Sequence, residues 1–187
     1  IVIIFNSIII LKNGVKERMP RILQDVTIEE HHKLIKNSNN EECLSLKKGC
    51  IFNPSSNKKV YIIGDSHAAT LAFGLKDKLV NKNYQFITSL LGSCGFFPGF
   101  DLVDLKDKKI DSNCNDIYFN TLKKELNKNS NSLIIFNAAL PLYLNNKYFI
   151  GEGWDMSYVS NNKFDSLQSS FRSTLNELAK KNKIILV

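Results

Sequence analysis

Hydrophobic and polar residues follow a regular pattern from Lys59 onward. The segment KVYIIG is rich in β-branched residues, which favours a buried strand, and in the HAATLAFGLKDKL that follows, Leu71, Leu75 and Leu79 recur at helical spacing. Strands and helices then alternate to the end of the chain. This order predicts an α/β protein, a three-layer sandwich whose mostly parallel sheet is covered by helices on both faces. The predicted strands are 59–64, 84–91, 132–138 and 183–187, and the predicted helices are 67–79, 116–126 and 164–181.

The first 57 residues do not follow this pattern. Residues 1–11, IVIIFNSIIIL, form an apolar run about half as long as the roughly 20 residues that span a bilayer. We interpret the run either as the end of a transmembrane helix or as a buried strand. Residues 12–57 are predicted to be a linker that holds the first two cysteines, and residues 58–187 an incomplete α/β domain. Because Val187 falls within a predicted strand, we expect the sequence to be a fragment.

The chain is basic, with a formal net charge of +7 and a pI of about 9.2. A basic protein can bind nucleic acid or an anionic membrane surface. However, the lysines are spread along the chain, and no basic block is interleaved with aromatic residues. We therefore expect a solvated, lysine-rich surface and no nucleic-acid partner.

The four cysteines form two local pairs, Cys43 with Cys50 and Cys94 with Cys114. Their spacings are not the close CxxC or CxxH pairs that are typical of zinc sites, so we expect no metal ion. Two disulfides are the favoured interpretation, and four buried thiols are the alternative. Disulfides persist in oxidising compartments, which favours a location outside the cytoplasm.

The segment VYIIGDSHAATL holds the clearest candidate for chemistry. Gly64, Asp65 and Ser66 fall at the carboxyl end of the first predicted parallel strand, where open α/β sheets bind their ligands. Ser66 would begin the next helix, whose free N–H groups stabilise negative charge. A serine there is suited to nucleophilic catalysis. Alternatively, the serine or the aspartate simply caps the helix.

The segment IIGDSHAATL resembles the first conserved block of SGNH hydrolases. It is most similar to the GDSHA form found in SGNH domains fused behind integral-membrane acyltransferases of acyltransferase family 3. The resemblance extends over roughly residues 12–187 and implies that Ser66 is the nucleophile. It also implies that Gly92, in LLGSCG, donates a backbone N–H to the oxyanion hole, and that Asn137, in IIFNAAL, is a second donor. Asn137 departs from the family's GxND pattern, so a strand-end polar residue is the alternative there.

The resemblance further implies a reaction and its partners. The domain would take an acyl group, in the first place acetyl, from a membrane acyltransferase domain and pass it to a cell-envelope glycan such as lipopolysaccharide. It would be membrane-anchored, face the periplasm or the cell exterior, and need no cofactor. A noncatalytic glycan-binding or structural partner of the acyltransferase, and a simple carbohydrate esterase, are the alternatives.

The catalytic base is missing from these motifs. The family draws its aspartate and histidine from a DxxH near the carboxyl end, but this chain has only His31, His32 and His67. His67 follows the serine on a helix, so its side chain is expected to point away from Ser66. His31 and His32 lie in a charged amphipathic stretch that is typical of a solvated helix face. We therefore expect the base beyond Val187 and the fragment alone to be almost inactive.

One aromatic cluster follows the third predicted strand. Such residues either stack against a sugar ring or pack under a long loop, and the sequence leaves both interpretations open. The cluster consists of Tyr143, Tyr148, Phe149 and Trp154.

Overall fold

The computed structural model describes residues 34–144, 156–161 and 164–187 of the chain. These residues form the predicted α/β fold. The strands are β1 (Cys50–Phe52), β2 (Lys59–Gly64), β3 (Gln85–Leu90), β4 (Phe100–Asp104), β5 (Leu133–Asn137), β6 (Met156–Ser160) and β7 (Lys183–Leu186). The helices are α1 (Ser66–Asn81), α2 (Asp116–Lys128), α3 (Leu140–Leu144) and α4 (Leu167–Leu178).

The main sheet has five strands in the order β1-β3-β2-β5-β7. All its neighbouring strands are parallel except β1, which runs antiparallel to β3. Strands β4 and β6 form a separate antiparallel pair. The mostly parallel sheet confirms the predicted fold class.

Strand β2 lies at the centre of the sheet, and its alternating side chains enter two different cores. Val60 and Ile62 pack with the alanines of α1 on one face. Tyr61 and Ile63 pack on the other face with residues of α2 and α4, such as Phe119. Every second residue of a strand points to the same face, so a continuous apolar run can fill both cores at once.

The structure contains elements that the sequence pattern missed, namely β1, β4, β6 and α3. Part of the range predicted as a linker also packs onto the sheet, since Ile35 is 1% exposed and β1 pairs with β3. Both predicted disulfides are present. The Cα atoms of Cys43 and Cys50 are 5.6 Å apart, and those of Cys94 and Cys114 are 5.8 Å apart.

No helix in the described part of the chain is long and apolar enough to cross a bilayer. Several sequence predictions lie outside the described residues. These are the apolar run 1–11, the start of the predicted linker, His31, His32, Tyr148, Phe149 and Trp154.

Candidate active site at the carboxyl edge of the sheet

The turn between β2 and α1 depends on Gly64. This residue pairs with Leu90 of β3 on one side and Asn137 of β5 on the other. Its φ of +153° favours glycine, and a Cβ atom there would lie 1.7 Å from the carbonyl oxygen of Asn137. The close approach of three strand ends therefore leaves room only for glycine.

Asp65 caps the amino terminus of α1. Its Oδ1 accepts a hydrogen bond of 2.8 Å from the N–H of His67, as expected for an N-cap aspartate. Because Asp65 is the cap, the Ser66 side chain is not used for capping. Of the two predicted caps, the aspartate is therefore confirmed and the serine is wrong for this turn.

Ser66 is the first residue of α1 and is exposed to solvent. The structure gives neither its hydroxyl nor its N–H a hydrogen-bond partner among the described residues, and only its carbonyl oxygen accepts a bond, of 3.4 Å, from Thr70 Oγ1. A helix amino terminus is the positive end of the helix dipole and favours negative charge. The hydroxyl is therefore accessible at a position that can stabilise an oxyanion.

Gly92 and Asn137 lie at the same edge of the sheet as Ser66. Asn137 ends β5 beside Gly64, and Gly92 is the second residue after β3, which ends at Leu90. Gly92 is exposed and Asn137 half-buried. In the described part of the chain, neither the Gly92 N–H nor the Asn137 side-chain amide has a hydrogen-bond partner. The structure thus brings all three predicted residues to one edge, each with an unused hydrogen-bonding group.

The second oxygen of Asp65 links this turn to the segment after β5. Its Oδ2 accepts hydrogen bonds of 2.9 Å from the N–H of Ala139 and from the hydroxyl of Tyr143. Asp65 is only 2% exposed and Tyr143 1%. A buried carboxylate is stable when charge-assisted hydrogen bonds satisfy it, so these contacts hold the Ser66 turn and the segment that follows Asn137 together.

The contacts of Tyr143 distinguish between the two interpretations of the aromatic cluster for this residue. Tyr143 lies on α3 and packs against Phe97 and Tyr158, with ring centroids 5.9 Å and 6.0 Å away. For Tyr143 the packing interpretation is confirmed. Its ring belongs to the core rather than to an open sugar site.

The His67 ring forms no hydrogen bond with the Ser66 hydroxyl among the described residues. Its side chain is 65% exposed, and its Nδ1 lies 3.1 Å from Oδ1 of Asp65. The ring therefore turns back toward the cap. Its orientation agrees with the expectation that His67 is a neighbour of the serine and not its base.

A small pocket lies beside Gly92. It has a volume of about 90 Å³ and is bordered by the Cys94–Cys114 disulfide, Leu102 and Met156. The disulfide joins the loop after β3 to the segment before α2 and so restricts the loop that carries Gly92. Among the described residues, no group of His, Cys, Asp or Glu side chains is placed to hold a metal ion.

The fold and this edge define a class of protein. A mostly parallel sheet that presents an exposed serine where a central strand meets its helix is the arrangement of SGNH-type α/β domains. A protein-family model described as "SGNH domain (fused to AT3 domains)" matches residues 34–187, and the chain belongs to this family. No curated protein and no solved structure matches the chain. The resemblance seen in GDSHA is therefore confirmed at the level of the family.

Sequence reasoning missed the part of the site that supports the serine turn. The contacts of Asp65 with Ala139 and Tyr143 join residues that are 74 and 78 positions apart. No local pattern predicts such a pair. The sequence does show an aspartate directly after a buried strand. A buried aspartate needs hydrogen-bond partners for both of its oxygens, and this requirement indicates a contact with another segment.

Proposed function

We propose that this domain transfers an acyl group, in the simplest case acetyl, to a hydroxyl of a cell-envelope glycan, with Ser66 as the nucleophile. Membership of the SGNH family fused to acyltransferase domains supports acyl-transfer or esterase chemistry. The observation that carries the assignment to Ser66 is its exposed hydroxyl at the first position of α1, next to a cap residue that is already satisfied.

The reaction has two steps. In the first, Ser66 Oγ forms a bond to the acyl carbon as the donor's bond to that carbon breaks, and the serine proton passes through a base to the leaving group. In the second, the acceptor hydroxyl forms the new ester bond, the Ser66 ester breaks, and a proton returns to the serine. Water in place of the acceptor gives hydrolysis, so transferase and esterase differ only in the second step.

Each step passes through a tetrahedral oxyanion. The N–H groups of Ser66 and Gly92 and the amide of Asn137 are suited to stabilise it, because they share one edge and have no partner among the described residues. One such donor contributes about 10²–10³ in kcat in serine hydrolases. We assign these three groups to the oxyanion hole.

We expect an Asp-x-x-His downstream of Val187 to supply the base. The acyl group would come from a membrane acyltransferase domain of the same protein. The family's fusion to AT3 domains supports a membrane-anchored domain. The two disulfides support a domain that faces the periplasm or the cell exterior, where such bonds persist.

Replacement of Ser66 tests the proposal. We expect Ser66→Ala, in the protein with its downstream sequence, to lower hydrolysis of a small acetyl ester by at least about a thousandfold, because loss of a serine nucleophile costs up to about a millionfold. Thr70→Ala, one turn further along α1, is the matched control and should keep normal turnover. Unchanged hydrolysis by Ser66→Ala would favour the noncatalytic alternative.

A further inference from the structure

A second concave surface, which Ser66 does not line, lies between α2 and strands β1 to β3. We call it the lysine groove. It has a volume of about 580 Å³, within the usual range of about 300–1,000 Å³ for ligand sites. Its floor is largely apolar and includes Ile51, Tyr61, Ile87 and Leu122.

The rim of the lysine groove is strongly basic. It is lined by one acidic residue, Glu125, and by five lysines: Lys47, Lys48, Lys59, Lys124 and Lys128. Glu125 is already paired, since its Oε2 lies 3.4 Å from Nζ of Lys128. Lys47, Lys48 and Lys124 are exposed and form no ion pair with the described residues. Lysines around a concave site raise the local concentration of anionic ligands.

The groove also offers neutral hydrogen-bonding groups between its charges. The hydroxyls of Ser89 and Tyr118 contact each other. The exposed Thr121 hydroxyl donates to the carbonyl oxygen of Ile117, which leaves the Thr121 oxygen able to accept. Burial raises the pKa of Tyr118, and burial together with Glu125 raises that of Tyr61 to about 12. Both tyrosines are therefore neutral at physiological pH. The charge of the groove therefore comes from its five lysines and Glu125, and it is net positive.

The lysine groove runs toward the candidate active site. Ile87 and Ser89 of β3 line it, and β3 ends at Leu90, which pairs with Gly64. Ser89 and Tyr118 also line a small cavity that contains Gly64. At about 3.3 Å per residue, the stretch from Ile87 to Leu90 spans about 10 Å. The Ser89 end of the groove is therefore one residue along β3 from Leu90, the partner of Gly64 at the edge that carries Ser66.

We infer that the lysine groove binds an anionic segment of the acceptor, a polysaccharide that carries carboxylate or phosphate groups. This inference rests on the proposed function for the presence of a glycan acceptor. The lysines would contact the acidic groups, the hydroxyls would contact sugar hydroxyls, and the aliphatic floor would contact the apolar faces of sugar rings. The groove shares Ser89 and Tyr118 with the small cavity at Gly64, and this proximity to the Ser66 turn favours the substrate over an unrelated acidic peptide.

Direct binding tests the inference without relying on turnover. Calorimetric titration of the purified protein with oligogalacturonate, an acidic oligosaccharide, should show binding that weakens as salt rises. Neutral dextran oligosaccharides should bind much more weakly. The triple variant Lys47→Gln, Lys48→Gln, Lys124→Gln should weaken oligogalacturonate binding about tenfold or more.

A matched control variant distinguishes the loss of the groove lysines from the loss of net charge. Lys78→Gln, Lys82→Gln, Lys181→Gln removes the same charge from exposed positions that do not line the groove, and we expect its affinity to stay within about twofold of the wild type. Equal weakening by both triple variants would overturn the inference. So would the absence of oligogalacturonate binding, or tighter binding of oligoglutamate, which would make the groove a site for acidic peptides.

The test also distinguishes this inference from the proposed function. Ser66→Ala should bind oligogalacturonate as the wild type does, because Ser66 does not line the groove. If Ser66→Ala keeps full hydrolysis but the groove variants lose binding, only the catalytic proposal fails. If Ser66→Ala loses hydrolysis but no acidic oligosaccharide binds, only the groove inference fails.

Discussion

At the scale of single residues, the serine turn depends on a backbone that only glycine adopts without strain. A side chain at position 64 would collide with the Asn137 carbonyl, which belongs to a neighbouring strand. The collision cannot be relieved by a rotamer change, since the atom it meets is backbone. The same contact fixes the distance between the end of β2, which leads into Ser66, and the end of β5, which carries Asn137.

We therefore expect Gly64→Ala to lower the free energy of unfolding by about 3 kcal/mol or more, through backbone strain and steric overlap. Urea denaturation measures this loss. Gly74→Ala is the control, because a Cβ at this position within α1 meets no atom within 4 Å. That substitution should stabilise the protein by about 0.5–1 kcal/mol. Similar small effects of both substitutions would contradict this account of the turn.

A second residue-scale prediction concerns the hydrogen bond from Tyr143 to Asp65. Tyr143→Phe leaves a buried carboxylate oxygen with one donor fewer, so we expect a loss of about 1–3 kcal/mol in unfolding free energy. Tyr84→Phe, at a half-buried tyrosine outside this network, is the matched control. Chemical denaturation compares the two. A Tyr143→Phe variant as stable as the control would show that this bond does not hold the turn.

At the scale of elements, the Cys94–Cys114 disulfide restrains the loop that carries Gly92. Loop-closure entropy predicts that its removal costs about 3.3 kcal/mol, against about 2.5 kcal/mol for the shorter Cys43–Cys50 loop. Paired Cys→Ser variants, unfolded in urea, measure the two losses. We expect the larger loss for Cys94–Cys114 and, if Gly92 supplies an oxyanion donor, slower ester hydrolysis as well. An unchanged unfolding midpoint after the removal of either bridge would contradict this prediction.

The elements that the sequence predicted are those with long internal patterns. Strand β2 and helices α1, α2 and α4 bury continuous or periodic apolar faces, so their residues alone define them. The three-residue β1 forms where it pairs with β3 and is tied by a disulfide. Strands β4 and β6 depend on each other, as β4 is five residues long and its pairing partner β6 lies more than fifty residues later. Tertiary pairing, rather than local propensity, creates these elements.

The same distinction applies to the candidate site. Ser66 and Gly92 follow predicted strands and Asn137 lies near the end of one. Parallel strands bring their carboxyl ends to one edge, so the grouping of these residues could be predicted. The role of Asp65 as a link to Ala139 and Tyr143 depends on how α3 packs. The lysine groove likewise joins residues of three strands and one helix. No pattern within a single segment of the sequence predicts either the Asp65 contacts or the lysine groove.

At the scale of the whole molecule, the family match extends over residues 34–187, and the two cores lie on opposite faces of one sheet. Ser66 and the lysine groove both involve the central strands β2 and β3. This arrangement places a proposed acceptor site and a proposed nucleophile on one rigid support. Part of the net charge of +7 would then attract an anionic ligand to the groove, and the charge as a whole favours solubility.

The central claim is that Ser66 carries the acyl group between donor and acceptor. Peptide mass spectrometry of the full-length protein, after brief incubation with an activated acetyl ester and rapid acid quenching, tests it most directly. We predict one acetyl group on the peptide that contains Ser66, removed when an acceptor or water is given time to react, and absent from Ser66→Ala. Acetylation of a different residue, with none at Ser66, would contradict the account.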